Sequence, residues 1–236
     1  MSLAKAVERV GGLQTQYAPT AYIGLWSRLE RFRRDDLTRA LERRTVVQGT
    51  LMRATIHIVS VRDYPLFAEA VRAPRRQWGL SATRRRDQAR NVEAVARRLR
   101  ALLADGPRRR DEFIAELGVD TTTWNGVQMW VDLVRVPPSG TWDRRRADVF
   151  ALADDWLGRA STVSEQDAAD HLVRRYLGGF GPASRKDVQS FTGLSAKAIG
   201  SSFERLPSRR RVDLRGRQDH ARAVREAVAA GEAGSR

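Results

Sequence analysis

Val46-Val47-Gln48-Gly49-Thr50-Leu51-Met52-Arg53-Ala54-Thr55-Ile56-His57-Ile58-Val59-Ser60 breaks the pattern of everything before it. Its residues are β-branched or alternate between apolar and polar, and Gly49 interrupts the run, so the stretch reads as a strand pair. In a strand, Leu51, Arg53, Thr55 and His57 share one face, while Met52, Ala54, Ile56 and Ile58 share the other. A polar Arg53-Thr55-His57 triplet over an apolar face fits the lining of a groove. A half-exposed strand gives the same pattern.

Upstream, the period is helical. Ala21, Tyr22, Leu25, Trp26, Leu29 and Phe32 recur at helix spacing from Thr20. A second helix is expected to start at Asp35, a good N-cap, and to carry Leu37, Ala40 and Leu41. Two helices followed by a hairpin form the skeleton of a winged helix.

Downstream, the theme returns. Asn91 to Ala104 has Val92, Val95, Leu99, Leu102 and Leu103 on one side. A short helix from Arg110 to Leu117 should end at Gly118. Thr121 to Thr123 can cap a third helix bearing Trp124, Val127, Trp130 and Val131. Leu133 to Val136 and Ala147 to Leu152 read as strands. Pro137-Pro138-Ser139-Gly140 and the run Arg144-Arg145-Arg146 join them, as in a wing with a basic loop.

A further copy follows. Gly106-Pro107 precedes Gly118 by the same twelve residues that separate Gly181-Pro182 from Gly193. A helix precedes each Gly-Pro pair and another follows each later glycine, so an internal duplication is the better account. The expected fold class is mainly α with short β-hairpins, in tandem winged helix-turn-helix units. Unit 1 spans residues 1–62 and is short at its N-terminus. Unit 2 spans 63–158, and unit 3 spans 159–206 without a recognisable wing. Residues 207–236 form an Arg-rich tail too poor in large apolar side chains to bury much, with a short helix around Ala221 to Ala230.

Composition narrows the function classes. Formal net charge is +15, and of 43 basic residues only Lys5, Lys186 and Lys197 are lysines. A polyanionic partner follows, nucleic acid ahead of an anionic membrane surface. Arginine forks bind phosphate and guanine edges bidentately, although a GC-rich coding sequence also yields arginine. The absence of cysteine removes disulfides, thiol catalysis and thiolate zinc sites. His57, His171 and His220 are too scattered for a metal spacing, and no cofactor is expected. No apolar run reaches a membrane span and no signal segment is evident, so a cytoplasmic location on the nucleoid is expected.

Of the basic runs, Arg144 to Arg146 on the wing is the best candidate for phosphate contact. Arg84-Arg85-Arg86 and Arg108-Arg109-Arg110 are weaker candidates, since charge runs are commonly solvated faces. Trp124 and Trp130 sit at helical spacing and read as core. His171 falls within a helix and earns no role. Gln14 and Gln16 differ: on extended backbone their amides point the same way. An amide pair can hold a water between acceptor and donor but cannot take its proton as a strong base would. That suits expulsion of an already activated leaving group, such as an N-alkylated, positively charged purine. Gln-x-Gln is common by chance, and spacing alone favours a structural role.

The order of motifs carries a resemblance. Gly11-Gly12-Leu13-Gln14-Thr15-Gln16, then Ala21-Tyr22 to Leu25-Trp26-Ser27-Arg28-Leu29, then Leu51 to His57, resemble the bacterial winged-helix family that includes the AlkZ-type DNA glycosylases. Tyr176-Leu177 to Gly181-Pro182-Ala183 is similar to it too. The resemblance implies tandem winged helices cradling double-stranded DNA, and excision of alkylated or crosslinked bases by some members. It implies that Gln14 and Gln16 position the hydrolytic water, and that Arg53, Thr55 and His57 lie near the site. Thr15 stands where the family usually has an apolar residue. The family usually has a helix ahead of this motif, whereas thirteen residues precede Gln14; it also continues into a β-barrel-like domain where this chain has its Arg-rich tail. The reading that follows is a monofunctional glycosylase. The alternative is a non-catalytic DNA-binding protein or transcriptional regulator. No dimer helix is evident, which fits a monomer.

Overall fold

In the computed structural model, residues 1–83 and 92–206 are described. The chain is mainly helical, and one antiparallel sheet collects its strands. First come α1 (Leu3–Arg9), β1 (Leu13–Gln14), α2 (Pro19–Trp26), α3 (Arg34–Glu42), β2 (Val46–Thr50) and β3 (Ile56–Ser60). Next are α4 (Tyr64–Ala70), α5 (Arg72–Thr83), α6 (Val92–Leu103), β4 (Arg108–Arg109), α7 (Arg110–Leu117) and α8 (Thr121–Val127). Then β5 (Leu133–Arg135), β6 (Val149–Leu152), α9 (Ala153–Leu157), α10 (Glu165–Phe180), α11 (Arg185–Thr192) and α12 (Ala196–Arg205) follow.

The two expected hairpins are there, but they are not separate. Strand order is β1-β3-β2-β5-β6-β4. Gln48 pairs with Arg135 and Gly49 with Val134, which fuses the hairpins into one six-stranded sheet. Gly49 does not interrupt β2. It sits within the strand because a Cβ there would come 2.6 Å from the Tyr64 ring.

Alternation gives the sheet two working faces. Val47, Val59, Val134 and Ala151 turn to one side and pack against α4 and α10 through Tyr64, Phe67, Ala68, Leu172 and Val173. On the other side, Val46 and Ile58 meet α1 to α3 through Val7, Tyr22, Leu25 and Leu37. Farther along that side, Leu133 and Phe150 meet α6 to α8 through Leu99, Phe113 and Trp124. Between the two helical groups lie buried polar side chains: Gln48, Thr50 and Arg135.

Two helices, α7 and α11, end alike. After α7, Gly118 has φ 65°; after α11, Gly193 has φ 77°. Each glycine ends its helix in the left-handed conformation that L side chains resist. Asp120 caps α8 through its carboxylate (2.7 Å to the Thr123 N–H), where the sequence pointed to the threonines. Trp130 and Val131 lie beyond α8 yet are buried. Seven-residue α1 stands ahead of the Gln motif, so that segment is not bare. Arg33 is the N-cap of α3, with Asp35 inside its first turn. His171 is satisfied, 2.7 Å from the buried Asp63 carboxylate, which Arg175 also grips at 2.9 Å. Among the described residues, no helix is long and apolar enough to cross a membrane. Arg84 to Arg86, the 207–236 tail with its expected helix and His220, and any wing after α12 fall outside the described residues.

Candidate nucleic-acid interface and amide pair

Gln14 and Gln16 stand at the sheet edge. Gln14 opposes His57 across β1 and β3, and the Thr15 N–H extends the ladder to the Ile56 carbonyl at 2.8 Å. Thr15 is buried and its Oγ1 donates to the Ala18 carbonyl at 3.4 Å. Both glutamines are exposed, as period-two alternation requires when the middle residue faces in. Gly12 makes the approach possible: its φ is 89°, and a Cβ would lie 2.9 Å from Val59.

Two donor-only partners fix the amides. Arg53 Nη2 donates to Gln14 Oε1 at 2.9 Å, and the Ile56 N–H donates to Gln16 Oε1 at 3.0 Å. Because neither guanidinium nor backbone N–H can accept, both oxygens must be the inward atoms. Each keeps a second lone pair, and both Nε2 groups are left as outward donors.

The expected Arg53-Thr55-His57 strand face does not form. Arg53 lies in a single 3-10 turn, Met52–Ala54, with φ 54° and ψ 27°, so the alternation stops before it. Its guanidinium is exposed and reaches Gln14 from the turn rather than from a strand. Thr55 is half-buried and donates to the Met52 carbonyl at 3.0 Å. His57 is buried, with Nδ1 3.0 Å from the Thr55 carbonyl and Nε2 without a partner. Since a carbonyl only accepts, Nδ1 carries the proton. Burial, reinforced by the Arg53 charge, holds the imidazole down at about 4 despite the Thr55 bond, so it is neutral at pH 7.

Arg144 to Arg146 are exposed on the loop between β5 and β6. Arg145 Nη1 donates to the Tyr17 hydroxyl at 2.8 Å, which brings the basic loop to the residue after Gln16. Arg146 is 3.3 Å from Asp148, and Arg109 is 3.8 Å from the same carboxylate. A hollow of about 250 Å³ lies against Arg109, Pro138, Ser139 and the three loop arginines. Tyr17 escaped the sequence reading; its place directly after Gln16 was the one available signal.

On the other flank, Arg53 Nη1 donates to the Ser190 carbonyl at 3.4 Å and the guanidinium lies 5.4 Å from the Phe191 ring. The amide pair therefore sits between the basic loop and α11. Among the described residues, no cluster of His, Cys, Asp and Glu could hold a metal ion.

The chain is thus a mainly helical protein on a small antiparallel sheet, with an exposed amide pair at the sheet edge between arginines. The chain belongs to the AlkZ-like DNA glycosylase family, whose model matches residues 7–235. Its fold is similar to that of the Streptomyces sahachiroi DNA glycosylase AlkZ, with a TM-score of 0.69 and 19% sequence identity. The similarity covers 86% of this chain and 59% of that one, so this chain spans less than two thirds of that relative. No curated protein matches the sequence.

Proposed function

We propose that this chain is a monofunctional DNA glycosylase that hydrolyses the N-glycosidic bond of alkylated bases in double-stranded DNA. The observation that carries the reading is the exposed Gln14 and Gln16 pair, with both amide oxygens anchored and arginines on either flank. In this reading residues 1–62, 63–158 and 159–206 are three winged-helix units. The helix-turn-helix pairs α7–α8 and α11–α12 and the β2–β3 and β5–β6 hairpins support that division. A net charge of +15 supports a polyanionic substrate; in this reading the chain binds it as a monomer, on the nucleoid and in the cytoplasm.

Chemically, an N-alkylated purine already carries a positive charge. When its bond to C1′ breaks, the bonding pair neutralises the base, which leaves without being protonated. Water then bonds to C1′ and its proton passes to solvent. Free lone pairs on Gln14 and Gln16 Oε1 accept the hydrogens of that water and aim its oxygen. The outward Nε2 groups donate to oxygens of the bound nucleotide. His57, neutral and buried, takes no proton. Arg144, Arg145 and Arg146 line the phosphate path, Arg53 stands beside Gln14 where the nucleotide would enter, Thr55 shapes the turn beneath it, and His57 packs under Gln14 rather than meeting DNA directly.

The test is release of free base from duplex DNA containing 7-methylguanine, read by chromatography. Release is expected from the wild type and is expected to disappear in Gln14→Ala and Gln16→Ala. Tight duplex binding without release would leave a DNA-binding module, and release that survives both substitutions would remove the amide pair from the mechanism.

A further inference from the structure

Arg53 occupies a backbone position suited to glycine. The Thr55 N–H closes a four-residue turn on the Met52 carbonyl at 3.1 Å, and the two central residues, Arg53 and Ala54, have φ 54° and 56°. Turns with two positive φ values ordinarily carry Asn-Gly. A long side chain there is strained, and such strain persists where its surroundings hold it and commonly marks a working site.

The surroundings are specific. One arm of the guanidinium donates to Gln14 Oε1 at 2.9 Å and the other to the Ser190 carbonyl at 3.4 Å. Phe191 lies 5.4 Å from it, and Gly193 is close enough that a Cβ would sit 3.6 Å from the Arg53 nitrogen. A forked donor with two N–H arms suits a bridge between a side-chain amide on β1 and a backbone carbonyl on α11. Gln16 needs no such device, because the Ile56 backbone anchors it.

We infer that Arg53 is the positioning residue for Gln14: it occupies one lone pair of Oε1, fixes the plane of the amide, and is itself fixed by α11. The inference rests on the proposed role of Gln14 in aiming water, and it goes beyond a phosphate contact for Arg53. The strained turn is what points the arginine along the sheet edge.

Arg53→Gly tests this directly, because glycine accepts the backbone and deletes only the fork. The expected result is a Tm equal to or above wild type. Base release from 7-methylguanine duplex at saturating protein should fall on the order of 100-fold, with an unchanged dependence of DNA affinity on salt. A salt slope shallower by about one unit with the saturated rate intact would make Arg53 a phosphate contact and overturn the inference. Arg53→Lys keeps the charge but lacks the planar fork that sets the amide plane, and its rate should also fall; a lysine variant at wild-type rate overturns it too. Should the wild type release no base, the side-chain amide resonances of Gln14 still decide. They are expected to shift in Arg53→Gly while those of Gln16 stay, and unchanged Gln14 signals would refute the positioning role.

Discussion

Arg145 donates to the Tyr17 hydroxyl at 2.8 Å across 128 residues of sequence. Through this bond the basic loop between β5 and β6 reaches the segment that follows the amide pair. Arg145 also stands 5.9 Å from the Tyr17 ring, so charge and ring face cooperate in an exposed contact. If that loop meets phosphate, Arg145→Met should weaken duplex binding and make the salt dependence shallower by about one unit. Tyr17→Phe keeps the charge, so its slope should match wild type while affinity changes by less than about tenfold. Anisotropy titrations at several salt concentrations separate the two, and an unaltered slope in Arg145→Met would place the loop away from DNA.

His57 makes a second, pH-dependent prediction. Its ordinary value of 6.5 applies to the unfolded chain, and burial lowers it to about 4 in the fold. Between those values the unfolded chain takes up a proton that the folded chain refuses. Stability therefore falls as pH drops below about 6.5 and stops falling from this source near 4, a total of about 3 kcal/mol. Urea unfolding from pH 7.5 to 4.5 should show this slope in wild type. In His57→Gln the same slope should flatten; an equal slope in both proteins would mean the imidazole is not protected.

Two glycines separate backbone strain from crowding. Gly118 has φ 65° and open space where a Cβ would stand, so Gly118→Ala should cost only the left-handed penalty, about 1–2 kcal/mol. Gly12 has φ 89°, and a Cβ there would press on Val59 at 2.9 Å and the Ile58 carbonyl at 3.3 Å. Gly12→Ala should cost that penalty plus about 1–3 kcal/mol for overpacking, and should lift β1 from β3. Equal denaturation midpoints for the two variants would show that β1 is not seated as described.

The sequence exposed the helices better than the sheet. Gly118 and Gly193 marked the ends of two helices, and α7 falls on the expected Arg110 to Leu117. Local period cannot report long-range pairing, which is why the Gln48–Arg135 and Gly49–Val134 partners, and two-residue β1 and β4, were invisible. The helices α4 and α5 were likewise not anticipated. At the site, alternation correctly put Gln14 and Gln16 on one side. It failed at Arg53, because a positive φ at a non-glycine residue leaves no mark in the residue pattern. Burial of His57 is a tertiary fact that the apolar and polar sequence of β3 does not encode.

Arg135 yields the least intuitive expectation. It lies on the same sheet face as Gln48 and Thr50, buried, with one arm donating to Thr50 Oγ1 at 3.1 Å and its Nε and Nη1 unbonded. Its other close neighbour is the Phe150 ring at 5.0 Å, and no carboxylate pairs with it among the described residues. Burial accordingly lowers its pKa to about 10. A cation taken out of water without a counter-charge opposes folding, and the lowered value says that protonation is weaker in the fold than in the unfolded chain. Replacing it with an apolar chain of similar length removes that cost and sacrifices one hydrogen bond, worth about 1 kcal/mol. Arg135→Met should thus be neutral or more stable, by up to about 3 kcal/mol, in thermal and urea unfolding. Thr50→Val, which strips the remaining acceptor and leaves the charge, should destabilise. A strongly destabilised Arg135→Met would show that the guanidinium is compensated by a partner, and that the polar seam between the two helical groups is a structural bond.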